Sequence, residues 1–253
     1  MFDRHTPDRD PGRPAFTPAV DPFDQSRRDH AAVVRRTLRD RCTLLFEFAG
    51  VPGSGRTSLL AATLRLLQGE AQVGVVLADP GNRCASEHLL EYCRQLVRVD
   101  VPELDSADVR RALGQFDLDA LEWLFCEGTG LALDPGDGDV GQNLTIAVFG
   151  VAGGDDKAAA LPYLCVQADA VVLTQVDLLP HVPFLMDRFE SDLRRLNPRA
   201  PIFPVSTVHG TGMREWMDWL RRYRISKNPM NSPDTAGDDV DALLHVRGEW
   251  YIG

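Results

Sequence analysis

Apolar positions along the chain follow two rhythms. Short runs, TLLFEF (43–48), VGVVLA (73–78), LEWLFC (121–126), LTIAVFG (144–150), AVVLTQ (170–175) and PIFPVS (201–206), predict strands. Several are apolar on both faces, as strands of a parallel sheet covered from both sides have to be. Between them lie helical patterns over about 29–40, 57–68, 84–97, 106–115, 184–196 and 212–223. The alternation predicts an α/β fold, a doubly wound and mostly parallel sheet with helices on both faces. One domain accounts for residues 29–225, without internal repeats. Residues 1–28, rich in Pro, Asp and Arg, read as a disordered arm, and 226–253 as a polar linker with a short tail, ALLHVRGEWYIG.

Composition narrows the classes. The 253 residues are 44% hydrophobic and carry a net charge of −10, so the chain lacks the basic field of a nucleic-acid binder. No apolar run reaches the length of a membrane span, and the N-terminus has no signal-peptide core. The expectation is a soluble, cytoplasmic chain with neither nucleic acid nor membrane as a partner. The five cysteines (Cys42, Cys84, Cys93, Cys126, Cys165) form no C-x-x-C pair and read as buried thiols. Only Lys157 and Lys227 are lysines; every other cationic side chain is arginine.

The stretch AGVPGSGRTSLL (49–60) follows the first predicted strand and opens a predicted helix. It matches the phosphate-loop pattern G-x-x-x-x-G-K-[ST] except that Arg56 replaces the lysine. Gly50, Gly53 and Gly55 permit the tight turn. The backbone N–H groups of such a turn, with the helix N-terminus, cradle an anion. On this reading Gly50, Gly53, Ser54, Gly55, Arg56, Thr57 and Ser58 bind a nucleotide, and the Thr57 hydroxyl faces magnesium. The planar fork of Arg56 needs more room than an ammonium, so phosphoryl transfer should suffer more than binding. The alternative is a glycine turn that binds nothing.

Later segments carry a family likeness. GDDK (154–157), ADAVVL, the aspartate of TQVD, DLLPHV, RFESDLRRLNP, FPVS and the closing W-x-x-WL appear in one order, preceded by the phosphate loop and ADPGN (78–82). In that order the chain resembles the HypB family, GTPases that help insert nickel into nickel–iron hydrogenase, over about residues 29–224. The urease accessory GTPase UreG resembles it less closely. The resemblance implies a P-loop NTPase of the dimerising (SIMIBI) type, working with GTP or GDP and Mg2+ as a homodimer or beside a related GTPase and other hydrogenase maturation proteins. It also implies roles. Asp79 is the magnesium-side carboxylate, and Glu127 the acidic residue of a glutamate-x-x-glycine turn. Arg56, Asp79 and Glu127 become the catalytic set. Lys157 of GDDK, Asp177, Ser206 and Thr207 complete the nucleotide site, Asp177 facing the guanine edge. Carboxylates at the carboxyl ends of parallel strands face the ligand crevice in any case.

Three elements depart from the family. The phosphate loop has Arg56. The guanine-reading Asn-Lys-x-Asp is Thr174, Gln175, Val176, Asp177. At the positions of the family's nickel or zinc ligands stand Pro102, Glu103 and Asp134, which do not favour a soft metal. The expectation is a HypB-like GTP-binding protein and slow GTPase with weakened nucleotide and metal sites. The alternative is a non-catalytic paralogue that acts as a regulatory or structural partner of an intact maturation GTPase.

Overall fold

The computed structural model describes residues 22–81, 83–128 and 138–227. Its strands are β1 (Leu44–Ala49), β2 (Val73–Ala78), β3 (Gln95–Val99), β4 (Trp123–Glu127), β5 (Leu144–Gly150), β6 (Ala170–Thr174) and β7 (Ile202–Pro204). The helices are α1 (Pro22–Asp40), α2 (Arg56–Leu67), α3 (Arg83–Leu90), α4 (Ser106–Leu113), α5 (Lys157–Ala160), α6 (Pro162–Gln167), α7 (Met186–Leu196) and α8 (Met213–Lys227). The strands form one sheet in the order β3-β2-β4-β1-β5-β6-β7, and every pairing is parallel. The expected P-loop NTPase architecture is what the chain adopts.

Alternation along β1 shows how the layers form. Phe46 and Phe48 point to one face and pack with α2, α8 and Phe125, while Leu45 and Ala49 point to the other. There α1 and α4 cover the half around β2 and β4, and α5, α6 and α7 cover the half around β5 and β6. All four apolar residues are buried, and burying one phenylalanine contributes on the order of 1.5–3 kcal/mol. Trp216 of α8 donates its indole N–H to Thr63 of α2 at 3.0 Å, so even the polar atom of this buried ring is satisfied.

The structure corrects several boundaries. The helix expected over 84–97 stops at Leu90, and Gln95–Val99 form the edge strand β3. An edge strand needs only one buried side chain, here Val97, so its alternation is too short to outweigh the helical spacing around it. Helix α1 starts at Pro22, inside the segment read as an arm; proline suits a first helical position, and Ala31, Val34 and Leu38 bury one face. Helix α8 runs on to Lys227. Cys42 is exposed, in a turn with φ 55, whereas Cys126 and Cys165 are buried. Cys84, the remaining arm and the C-terminal tail lie outside the residues or side chains described. No helix among the described residues is long and apolar enough to cross a membrane.

Candidate nucleotide site

Strand order locates the site. From β1 the chain moves to β2 on one side and later to β5 on the other, so the carboxyl end of β1 is the switch point where parallel α/β sheets open a crevice. The loop that follows β1 is held close to its neighbour. A Cβ on Gly50 would lie 2.4 Å from the carbonyl oxygen of Val148, so a side chain there collides with β5. Gly55 has φ 83 and caps α2 without a side-chain hydrogen bond, so the helix begins on a glycine turn with its N-terminal dipole facing the crevice. Ser54 is buried with its hydroxyl unpartnered.

A carboxylate stands beside this loop. Glu127 ends β4, paired in register with Phe48 of β1 and Leu77 of β2. The Thr57 hydroxyl donates to Glu127 Oε1 at 2.5 Å, while Oε2 is buried without a partner. Burial pushes the Glu127 carboxyl up; the Thr57 hydrogen bond and the Arg56 charge oppose that, and the Asp79 charge reinforces it. The Thr57 hydrogen bond and the charges of Arg56 and Asp79 thus converge on Glu127. A buried carboxylate oxygen without a partner, a hydroxyl and a second, half-buried carboxylate fit a small hard cation.

The far end of the site lies beyond β6. Asp177 is held by the Ser206 hydroxyl, which with the nearby charge of His209 keeps its carboxyl below the usual range. The Ser206 hydroxyl also accepts from the His209 N–H at 3.1 Å. Thr207 follows, and with Thr57, Ser58, Ala61, Ala62, Arg65, His88 and Tyr92 it lines a cleft of about 220 Å³ over α2.

Thr174 and Gln175 occupy other roles than the base edge. Thr174 is buried, with its hydroxyl 2.5 Å from the Ser54 carbonyl and 3.2 Å from that of Phe149. Gln175 donates to the Gly53 carbonyl at 3.2 Å. Both brace the phosphate loop. Lys157, half-buried at the start of α5, forms no ion pair among the described residues. Sequence reasoning missed Asp155 of the same GDDK run. Its carboxylate accepts from the Leu185 N–H at 3.0 Å and from Arg188 at 2.9 Å, tying the loop after β5 to α7. Such a partner lies far along the chain and leaves no local signal. Pro102 and Glu103 are exposed, Asp134 lies outside the described residues, and no group of three His, Cys, Asp or Glu residues among those described is arranged to hold a metal.

Fold and loop define a P-loop NTPase domain with its site at the carboxyl end of a parallel sheet. Residues 45–204 match the family model CobW/HypB/UreG, nucleotide-binding domain. The hydrogenase maturation factor HypB of Escherichia coli (strain K12) is 28% identical over 210 residues, covering 82% of this chain and 72% of the relative. That of Azotobacter vinelandii is 31% identical over 200 residues, covering 77% of this chain and 65% of the relative. The crystal structure of the hydrogenase maturation factor HypB from Archaeoglobus fulgidus superposes with a TM-score of 0.73 at 27% identity, over 79% of this chain and 99% of that one. The chain belongs to the CobW/HypB/UreG nucleotide-binding family and is a HypB-type member of it.

Proposed function

We propose that this protein is a HypB-like GTP-binding accessory protein serving nickel insertion during nickel–iron hydrogenase maturation, with a slow GTPase activity and an altered metal site. The observation that carries the reading is the meeting of Arg56, Thr57, Asp79 and Glu127 at one end of the crevice, with Asp177 and Ser206 at the other. Phosphates fit the amides of the loop and α2, and a guanine edge fits the Asp177 carboxylate, which accepts from a base N–H. Thr57, Asp79 and Glu127 would hold Mg2+, whose chemistry is neutralisation of phosphate charge. Arg56 would reach the outer phosphates as a bidentate donor. Nickel or zinc is not held at Pro102 and Glu103 in this reading, since proline offers no side-chain ligand and an exposed carboxylate is a poor one for a soft metal. The protein works in the cytoplasm, as a dimer with itself or with a related GTPase.

The test is a titration of fluorescent GTP with and without magnesium, competed by unlabelled GTP, GDP and ATP. Magnesium-dependent binding displaced by GTP and not by ATP is the expected result. Absence of binding at high micromolar protein would mean that the loop is a retained element of the fold and would favour the non-catalytic partner role.

A further inference from the structure

Gln175 replaces the lysine of the guanine-reading motif, yet its surroundings give it work elsewhere. It is one of two described non-glycine residues with positive φ, at φ 62 and ψ 32. Such a conformation is disfavoured for an L side chain and persists where neighbours over-determine it. They do so here. On the N-terminal side the Thr174 hydroxyl is fixed against Ser54 and Phe149. On the C-terminal side the Val176 N–H donates to the Val205 carbonyl at 3.3 Å. Turned in this way, the carboxamide lies across two loops. Its Nε2 donates to the Gly53 carbonyl at 3.2 Å, and its Oε1 accepts from the Ala152 N–H at 3.4 Å. The packing leaves no slack, since a Cβ on Gly150 would come within 2.7 Å of Oε1.

One side chain therefore joins the phosphate loop after β1 to the loop after β5 that leads to Asp155 and Lys157. A carboxamide carries both the donor and the acceptor that the two bonds need. Lysine offers donors and no acceptor, an ionised glutamate offers acceptors and no donor, and leucine offers neither. The geometry points to Gln175 as a positioning residue that locks these two loops into one unit, setting phosphate affinity through backbone placement and not through contact with the base. The affinity part of this inference rests on the nucleotide reading above; the coupling of the loops does not.

Hydrogen exchange on the full, nucleotide-free chain separates the two bonds. In Gln175→Lys, amides 152–154 should exchange about 2- to 10-fold faster, the net worth of one hydrogen bond, with the phosphate loop unchanged. In Gln175→Glu the pattern inverts, with faster exchange over 53–56 only. Gln175→Leu should accelerate both and weaken GTP binding by a similar factor, while amides of β5 and β6 stay as in the wild type. Unchanged exchange in all three variants, or equal acceleration throughout the sheet, overturns the inference. A wild type that binds no nucleotide while the variants show the split pattern overturns the nucleotide reading and leaves the coupling standing.

Discussion

The hydroxyl of Thr57 and the carboxylate of Glu127 are joined by a 2.5 Å hydrogen bond that closes the phosphate loop onto β4. The bond satisfies one carboxylate oxygen and leaves the other buried and unpartnered. A buried charge so incompletely paired destabilises the fold that holds it. Its location, at the end of β4 against the first turn of α2, puts that destabilisation in the proposed nucleotide site.

Glu127→Gln should therefore melt higher than the wild type in the absence of nucleotide. Burial raises the Glu127 pKa above its ordinary 4.5, so the folded state binds a proton more readily than the unfolded chain. Stability then falls as pH rises from 4.5 through the folded value, and glutamine, which does not titrate, escapes the loss. The gain should be fully present at neutral pH, above the folded value, and should shrink as the pH approaches 4.5. Thermal melts across pH check this; a variant no more stable at pH 7 contradicts it. Magnesium-dependent nucleotide binding should weaken in the same variant.

Arg56→Lys restores a compact ammonium to the loop. If Glu127, Thr57 and Asp79 form a working set, single-turnover GTP hydrolysis should rise by about tenfold or more, because charge placement at the transferring phosphoryl group dominates such barriers. An unchanged rate would place the impairment outside this residue.

Asp177→Ala removes the carboxylate that the proposed reading sets against a guanine edge. The ratio of ATP to GTP dissociation constants should fall by about 10- to 100-fold, mainly through weaker GTP binding. Ser206→Ala should produce a smaller loss, since Ser206 holds Asp177 and is not the acceptor itself. Competition titrations distinguish the two.

Asp155→Ala should cost about 1–3 kcal/mol in urea denaturation, through loss of the bonds to the Leu185 N–H and Arg188. Arg188→Ala should cost less, because its side chain is 54% exposed and the Leu185 bond survives. Equal effects would mean that the ion pair alone matters.

The strands and helices of the central sheet were legible because each carries its own period: VGVVLA and LTIAVFG are the observed β2 and β5 to the residue. The stretch HLLEYCRQLVRV was not. Its leucines, Tyr92 and Cys93 keep a helical spacing beyond Leu90, whereas the chain turns and contributes an edge strand whose single buried residue is Val97. At the site, the glycine turn marks Arg56 and Thr57 locally, whereas Asp79 and Glu127 were named through the family resemblance, with which their positions at strand ends agree. The roles of Thr174, Gln175 and Asp155 had no such mark. Each depends on a carbonyl or amide brought near by the fold, Ser54, Gly53 and Leu185, and no spacing in the sequence encodes those meetings.

The adjacency of β4, β1, β5 and β6 makes the sheet a ruler. Neighbouring strands lie ~4.8 Å apart, so three steps set the acidic tip of β4 about 14 Å from the tip of β6, just before Asp177. That is the span of an extended nucleotide from its ring to its outermost phosphate. In the proposed nucleotide reading, a ligand that engages both ends has to reach across that distance, which a monophosphate is too short to do.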